Sequence, residues 1–232
     1  MNYLIEPQRQ VEICASAEVL ILGGGPSGIA AAVASARAGS KTILLERYGF
    51  LGGMGTAAMV TNFCGLHANI NGSVQQIVHG VADDILARLE DLGGLNAPHH
   101  IKGRNGGHDT AAQAYDTAAY KVVADELLKD AGVDIRFHSL AAGVAMKNKS
   151  SIDAVILETK SGRKAIKAEV FIDCSGDADL AFWSGAEVEK GDDDGFIAVS
   201  YTHLRAHETR EDRGWARVGV KKKRGGGGGG GG

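Results

Sequence analysis

The stretch Val19–Glu46, VLILGGGPSGIAAAVASARAGSKTILLE, decides the fold of this chain. Its short apolar start predicts a buried strand, the glycines that follow predict a tight turn, and the small residues after them predict a helix. A second apolar run then ends in an acid, Glu46. A strand, tight turn, helix, second strand and terminal acid in this order are typical of a unit that binds a dinucleotide.

The glycine turn has a chemical reason at each position if the ligand is a dinucleotide. Gly23 allows the sharp turn, and Gly25 lets the backbone approach a pyrophosphate. Gly28 lets the helix pack closely on the strand. The helix that follows Pro26 directs free N–H groups and about half a positive charge toward the phosphates.

Glu46 stands where the second strand ends, and there its carboxylate reaches both hydroxyls of an adenosine ribose. A charged hydrogen bond of this kind contributes about 1.5–3 kcal/mol. The same carboxylate repels a 2′-phosphate, so the sequence disfavours NADP. This stretch alone leaves NAD and FAD equally open.

Length, charge and cysteine content limit the class of protein. The 232 residues suffice for one large or two modest domains, and the net charge is −3, with the basic excess concentrated after residue 198. The acidic remainder gives no support to nucleic-acid binding. The three cysteines form no CxxC pair, so neither a metal site nor a disulfide is predicted. No membrane span or signal peptide is recognisable, and the expected location is the cytoplasm.

A glycine-rich loop, Arg47–Thr56, follows Glu46 directly. Its place on the carboxyl edge of the predicted sheet favours ligand contact through backbone N–H groups of Gly52 and Gly53. A flexible linker is the alternative.

Residues 57–115 carry weaker signals. Apolar residues at steps of three and four predict an amphipathic helix over Val74–Leu92, and Asn96–Thr110 has the composition of an exposed loop. His67 or His79 could donate a proton to a substrate, although a lone histidine more often satisfies a local hydrogen bond. No catalytic residue can be named from these patterns.

The second half of the chain predicts a return to the sheet. Asp116 is expected to cap a helix that runs to Asp130, and Val133–Phe137 is expected to follow as a strand. Three alternating segments then predict a β-meander. They are Gly143–Met146, Ile152–Thr159 and Lys164–Ala168.

A buried strand, Val170–Ile172, opens into the turn Asp173–Asp179. A strand that ends in small residues, a glycine and acids brings Gly176 and Asp177 to the same sheet edge as the first glycine turn. Alternatively, Asp177 only caps a short helix that follows.

These motifs together resemble the FAD-dependent oxidoreductases of the glutathione-reductase-like, two-dinucleotide-binding fold. The closest likeness is to the group with an ERYGFLGG segment and a DATGDGD turn. Cys174 and Ser175 stand where that turn usually has Ala-Thr, and Ala178 replaces its middle glycine. The resemblance extends from about residue 18 to residue 198.

The resemblance implies an α/β fold, with a Rossmann-like parallel sheet, the GxGxxG unit and a β-meander. It also implies FAD as cofactor, with the pyrophosphate at the glycine turn, the ribose at Glu46, and the flavin side near Gly52 and Gly53. The implied cofactor-binding residues are Gly23, Gly25, Pro26, Ser27, Gly28, Glu46, Arg47, Gly52, Gly53, Gly176 and Asp177.

The expected activity is transfer of a hydride or an electron pair between a small molecule and FAD. An NAD-dependent dehydrogenase and a non-catalytic dinucleotide-binding fragment are the alternatives. Family members are longer, which implies a C-terminally truncated chain. The expected parts are a lead-in (1–17), the FAD-binding unit (18–56), a helical and loop insertion (57–115), the returning FAD-binding domain (116–198) and a tail (199–232).

The tail changes character at Val199. Its first residues resemble translated sequencing-adapter read-through, and it ends in a run of lysines and eight glycines. A non-native, disordered tail is therefore expected, and a genuine basic tail is the alternative.

Overall fold

The computed structural model of the chain describes residues 3–4, 8–101 and 110–188. The chain divides into two compact units, which are discontinuous in sequence. The first comprises residues 1–61, 80–94 and 115–187, and the second comprises 62–79, 95–114 and 188–232.

The described residues form strands, helices and one 3₁₀ turn. The strands are β1 Glu12–Leu22, β2 Thr42–Leu45, β3 Asn62–Cys64, β4 His67–Ile70, β5 Ser73–Gln76, β6 His99–Ile101, β7 Thr110–Ala114, β8 Asp134–Arg136, β9 Leu140–Asn148, β10 Ser151–Thr159 and β11 Gly162–Asp173. The helices are α1 Pro26–Arg37, α2 Val81–Asp91, α3 Thr117–Asp130 and α4 Asp179–Trp183, and the 3₁₀ turn is Gly53–Gly55.

A six-stranded sheet forms the centre of the first unit, in the order β8-β2-β1-β11-β10-β9. The first four strands in that order are parallel, whereas β10 is antiparallel to both of its neighbours. The Rossmann-like parallel sheet with an attached β-meander is therefore confirmed. Because β1, β2, β8 and β11 point the same way, the turns that follow them meet at one edge of the sheet.

The core lies on the faces of this sheet. Leu20, Ile43 and Leu45 are almost fully buried, and Val155 and Ile166 of the meander belong to the same cluster. Full burial of such a side chain contributes about 1.5–3 kcal/mol. The core therefore holds the carboxyl ends of the parallel strands in fixed positions.

Strand β1 begins at Glu12, seven residues before the apolar run that predicted it. Its early residues pair with β11 in parallel, from Glu12 opposite Lys164 onward. The two segments Lys164–Ala168 and Val170–Ile172, predicted as separate strands, are parts of the single long strand β11. Strand β1 therefore begins within the expected lead-in, because pairing with a long partner strand extends it over residues that lack an apolar pattern of their own.

The predicted helix over Val74–Leu92 is correct only from Val81 onward. Residues 73–76 instead form β5, which pairs with β4 in a hairpin. Gly80 separates the two elements at a φ of +81°, and its N–H donates to the Asp83 carboxylate at 2.8 Å. A backbone in that conformation cannot continue a helix, so the helical spacing before it has no structural meaning.

The described part of the second unit is built from short strands. Strands β3, β7 and β6 form an antiparallel sheet, and β4 and β5 form a hairpin. The prediction of an exposed loop over Asn96–Thr110 is therefore wrong at His99–Ile101, which form β6. Its residues 102–109 lie outside the described residues.

Candidate functional site

A cavity of about 470 Å³ lies in the first unit, at the edge of the sheet where the parallel strands end. Its walls come from the glycine turn after β1, the loop after β2, residues 139–141 and the turn after β11. Nine of the eleven predicted cofactor-binding residues line it: Gly23, Gly25, Pro26, Ser27, Glu46, Arg47, Gly53, Gly176 and Asp177. The volume lies within the range of small-molecule sites.

Gly23 and Gly28 are required by packing. Gly23 has a φ of +99°, and a Cβ built on it would lie 2.3 Å from the carbonyl oxygen of Cys174. A Cβ on Gly28 would lie 1.8 Å from the carbonyl oxygen of Gly23. Gly28 does not line the cavity, so its contribution is the close approach of α1 to the turn.

Gly25 is different, because the space beside its Cα is open. A Cβ there would come no closer than 3.8 Å to any neighbour, the Cα of Gly53, and its φ of −73° suits any residue. Gly25 is the N-cap of α1, where no side chain caps the helix, and the first turn of α1 contains no acidic residue. The first turn of α1 therefore borders the cavity through Pro26 and Ser27 and carries no carboxylate of its own.

Glu46 is buried, with 6% of its surface exposed, and lines the cavity. Its Oε2 accepts the N–H of Gly24 and its Oε1 accepts the N–H of Tyr48, each at 2.8 Å. The carboxylate thus joins the glycine turn to the loop after β2, a structural role that the sequence did not indicate. Each oxygen has a second lone pair for a further donor.

The glycine-rich loop is packed against the turn, which contradicts a flexible linker. The N–H of Gly52 donates to the carbonyl of Gly24 at 2.8 Å, and a Cβ on Gly53 would lie 2.8 Å from the Cα of Gly25. Gly52 does not line the cavity. At a φ of +107° it allows the close contact with Thr56.

Two buried tyrosines of the first unit pack against this loop. The hydroxyl of Tyr115 donates to the carbonyl oxygen of Val60 and lies 3.3 Å from that of Gly55, and its ring meets that of Tyr120 edge-on at 5.3 Å. Burial raises the pKa of Tyr120 to about 12. A Cβ on Gly55 would lie 2.6 Å from both tyrosines, so this glycine lets the loop lie on them.

Acidic side chains outnumber basic side chains among the described residues of the cavity wall. Glu46, Asp177 and Asp179 line it, and among the described residues Arg47 is the only lysine or arginine that does. Burial raises the pKa of Asp179, the neighbouring Asp177 and Asp173 raise it further, and Arg47 opposes the shift. Carboxylates suit the hydroxyl groups of a ligand, so the phosphates of a dinucleotide must meet the N-terminus of α1 and Arg47.

The turn after β11 corrects one prediction. Asp177 does not cap α4, whose N-cap is Ala178 without a side-chain hydrogen bond. Two N–H groups in the first turn of α4, those of Leu180 and Ala181, donate instead to Oδ2 of Asp173 at 2.8 and 3.2 Å. The sequence does not indicate this role of Asp173, because its distance from the helix along the chain matches no local capping pattern.

Cys174 lies between this turn and the first helix. Burial raises the pKa of its thiol, while a hydrogen bond with the Ser27 side chain opposes the shift. The neutral thiol is therefore the dominant form at neutral pH.

The histidines considered as proton donors lie elsewhere. His67 and His79 belong to the second unit, and neither lines the cavity. Burial lowers the pKa of His67, and its buried Nδ1 has no partner among the described residues. The described residues contain no group of His, Cys, Asp or Glu able to hold a metal ion, and none of their helices is long and apolar enough to cross a membrane.

A family model described as "FAD dependent oxidoreductase" matches residues 18–223. No curated protein matches the sequence. Several solved structures have a similar fold, at low sequence identity to this chain. The aromatic hydroxylase CabE from angucycline biosynthesis is 16% identical over 76% of this chain and 34% of its own, with a TM-score of 0.53.

A triple mutant of the flavin-dependent brominase Bmp2 is 14% identical over 68% of this chain and 38% of its own, with a TM-score of 0.51. A geranylgeranyl bacteriochlorophyll reductase-like protein from Thermoplasma acidophilum is 20% identical over 75% of this chain and 43% of its own, with a TM-score of 0.49. The chain therefore spans less than half the length of each of these structures.

Proposed function

The chain belongs to the family of FAD-dependent oxidoreductases, and from this we propose that its first unit binds FAD in the cavity at the carboxyl edge of the sheet. We further propose that the whole protein transfers a hydride or an electron pair between a small molecule and the flavin. When bound, the isoalloxazine ring supplies the redox chemistry, and the residues of the chain bind and orient it.

One observation carries the proposal, the open space beside Gly25. Packing explains the glycines at positions 23 and 28, but a Cβ at position 25 would meet, among the described residues other than its chain neighbours, only the Cα of Gly53 at 3.8 Å. A glycine that the fold does not need, at the N-cap of a helix and facing a cavity, keeps room for a ligand that contacts the backbone. A pyrophosphate fits that position.

In this proposal, the remaining cavity residues contact different parts of the cofactor. The carboxylate of Glu46 accepts the hydroxyls of the adenosine ribose, and Ser27 adds a hydroxyl beside the pyrophosphate. Gly53 and the pair Gly176 and Asp177 lie toward the flavin half. These assignments rest on the lining of the cavity and on the family.

Ligand titration tests the proposal. Purified protein is titrated with FAD, with NAD and with ADP, and its unfolding free energy is measured at each concentration. We expect FAD to stabilise the protein, by about 2.7 kcal/mol at 100 times its dissociation constant. Protein purified with flavin should release it on denaturation.

The rival functions give different results in the same experiment. Stabilisation by NAD but not by FAD would support an NAD-dependent dehydrogenase. Bound flavin that neither chemical reductants nor candidate substrates reduce would support a non-catalytic dinucleotide-binding fragment. No stabilisation by any of the three ligands contradicts the proposal.

We also propose that the protein acts in the cytoplasm. The three cysteines Cys14, Cys64 and Cys174 lie far apart in the sequence and form no CxxC pair, which suits a reducing compartment. Fractionation of cells that express the protein tests the location, and recovery outside the cytoplasm contradicts it.

A further inference from the structure

The turn between β11 and α4 forms one wall of the cavity through Ser175, Gly176 and Asp177. Its backbone is unusual, since φ is +90° at Gly176 and +58° at Ala178. A residue with a Cβ is strained in the left-handed region, and a helix as short as α4 adds little stability of its own. Contacts outside this backbone must therefore hold the wall in place.

Asp173, the last residue of β11, makes those contacts without lining the cavity. Its Oδ1 accepts the N–H of Ser175 at 3.1 Å and the hydroxyl of Ser175 at 2.7 Å. Its Oδ2 accepts the N–H groups of Leu180 and Ala181. One carboxylate thus ties the start of the turn to the helix that ends it, through hydrogen bonds strengthened by its charge.

Ser175 extends this network into the turn. Because its hydroxyl donates to Asp173, its oxygen is left to accept the N–H of Asp179 at 3.0 Å and that of Asp177 at 3.4 Å. Asp173 therefore orients, directly or through Ser175, the backbone that presents Asp177 and Asp179 to the cavity. The sheet holds only the start of the turn, where the N–H of Cys174 donates to Leu22 at 2.8 Å.

The glycine turn after β1 is held by other groups. The N–H of Gly23 donates to the carbonyl of Leu45 at 2.8 Å, and the N–H of Gly24 donates to Glu46. Asp173 takes no part in these contacts. Loss of its carboxylate should therefore distort the wall formed by the turn and leave the glycine turn and Glu46 in place.

We propose that Asp173 is a positioning residue of the cofactor site, which sets the affinity for the flavin half of FAD by holding the wall Ser175–Asp179. This inference rests on the proposed FAD site. Loss of the Asp173 carboxylate should lower the affinity for FAD more than the affinity for ADP, because ADP lacks the half of the cofactor that this wall would contact.

The test compares Asp173→Ala with Asp116→Ala. Both remove an aspartate that accepts two N–H groups from the first turn of a helix, and neither aspartate lines the cavity. They differ because Asp116 caps α3, which follows no wall of the cavity, whereas Asp173 holds the turn that forms one wall. Affinities for FAD and ADP are measured by calorimetry, and visible circular dichroism reports the environment of the bound flavin. For Asp173→Ala we expect FAD affinity to fall about tenfold or more, ADP affinity to stay within about threefold, and the flavin spectrum to change. Asp116→Ala should leave both affinities and the spectrum unchanged.

Asp173→Asn provides a second variant if Asp173→Ala does not fold. It keeps the size of the side chain and one acceptor oxygen but places an NH₂ group against N–H donors, so it should shift the same readouts in the same direction. Equal losses of FAD and ADP affinity, or an unchanged flavin spectrum and FAD affinity, would overturn the inference alone. If the unaltered chain binds no FAD, the proposed function fails and this inference fails with it.

Discussion

Gly25 and Gly28 differ in what a methyl group would meet at each position. At Gly28 it would lie 1.8 Å from the carbonyl oxygen of Gly23, a backbone atom that cannot move without breaking the turn. At Gly25 it would enter the cavity at an ordinary contact distance from Gly53. The fold therefore requires glycine at position 28, whereas we propose that glycine at position 25 serves a ligand.

This difference predicts opposite results for two alanine substitutions. Gly28→Ala should lower the unfolding free energy by about 3 kcal/mol, since the overpacked backbone must shift. Gly25→Ala should change it by less than about 1 kcal/mol, because its φ suits alanine, yet weaken FAD binding about tenfold or more. Urea denaturation and FAD titration of both variants check this. Full FAD affinity in a folded Gly25→Ala protein would contradict the assignment of Gly25 to the pyrophosphate.

At the scale of one element, α3 shows a prediction that depended only on local chemistry. Asp116 was expected to cap this helix, and its Oδ1 accepts the N–H groups of Ala118 and Ala119 at 2.7 and 2.9 Å. The helix runs to Asp130, as predicted. Its buried face includes Tyr120, which is 1% exposed.

Removal of this cap should cost a moderate amount of stability. Asp116→Ala leaves two N–H groups without their acceptor and should lower the unfolding free energy by about 1 kcal/mol. Asp116→Asn keeps a capping oxygen and should stay within a few tenths of a kcal/mol of the parent. Chemical denaturation of the pair measures both values. Equal losses in the two variants would show that the charge of Asp116, and not its capping oxygen, stabilises α3.

The hairpin β4–β5 shows where local chemistry misleads. Ile77 and Val78 share the helical spacing of the residues after them, yet they are 52% and 41% exposed and precede the helix. The positive φ of Gly80 and the pairing of β5 with β4 override the periodicity. A period read from sequence predicts a helix only where no stronger backbone signal interrupts it.

At the scale of the whole molecule, the cavity belongs entirely to the first unit. Its lining residues run from Leu22 to Asp179, and none comes from the second unit. The family match nevertheless continues to residue 223. We propose that residues 199–232 are not needed for FAD binding.

A shortened chain tests that proposal. A protein that ends at Ala198 should bind FAD with the affinity of the full chain, within about twofold, since it keeps every residue that lines the cavity. Parallel FAD titrations of the two chains measure this. A large loss of affinity in the shorter chain would assign a cofactor role to the residues after 198 and contradict their description as read-through.

The sequence alone determined the parallel sheet, the glycine turn, the N-cap of α3 and the return of the turn after β11 to the same edge. Each of these follows from residues close together in the chain, because tight turns, N-caps and the period of buried residues are local properties. The same signals brought nine predicted residues to one cavity. They could do so because parallel strands end at a common edge.

Only the tertiary structure decided the early start of β1, the double hydrogen bond of Glu46 and the capping of α4 by Asp173. In each case the partner is set by the fold: β11 for β1, Gly24 for Glu46, and the helix beyond the turn for Asp173. It also separated the glycines required by packing from Gly25, which the packing leaves open. The physical reason is that a buried donor pairs with the acceptor that lies nearest to it in space, and a close backbone contact likewise depends on the neighbour in space. Spacing along the chain does not specify that neighbour.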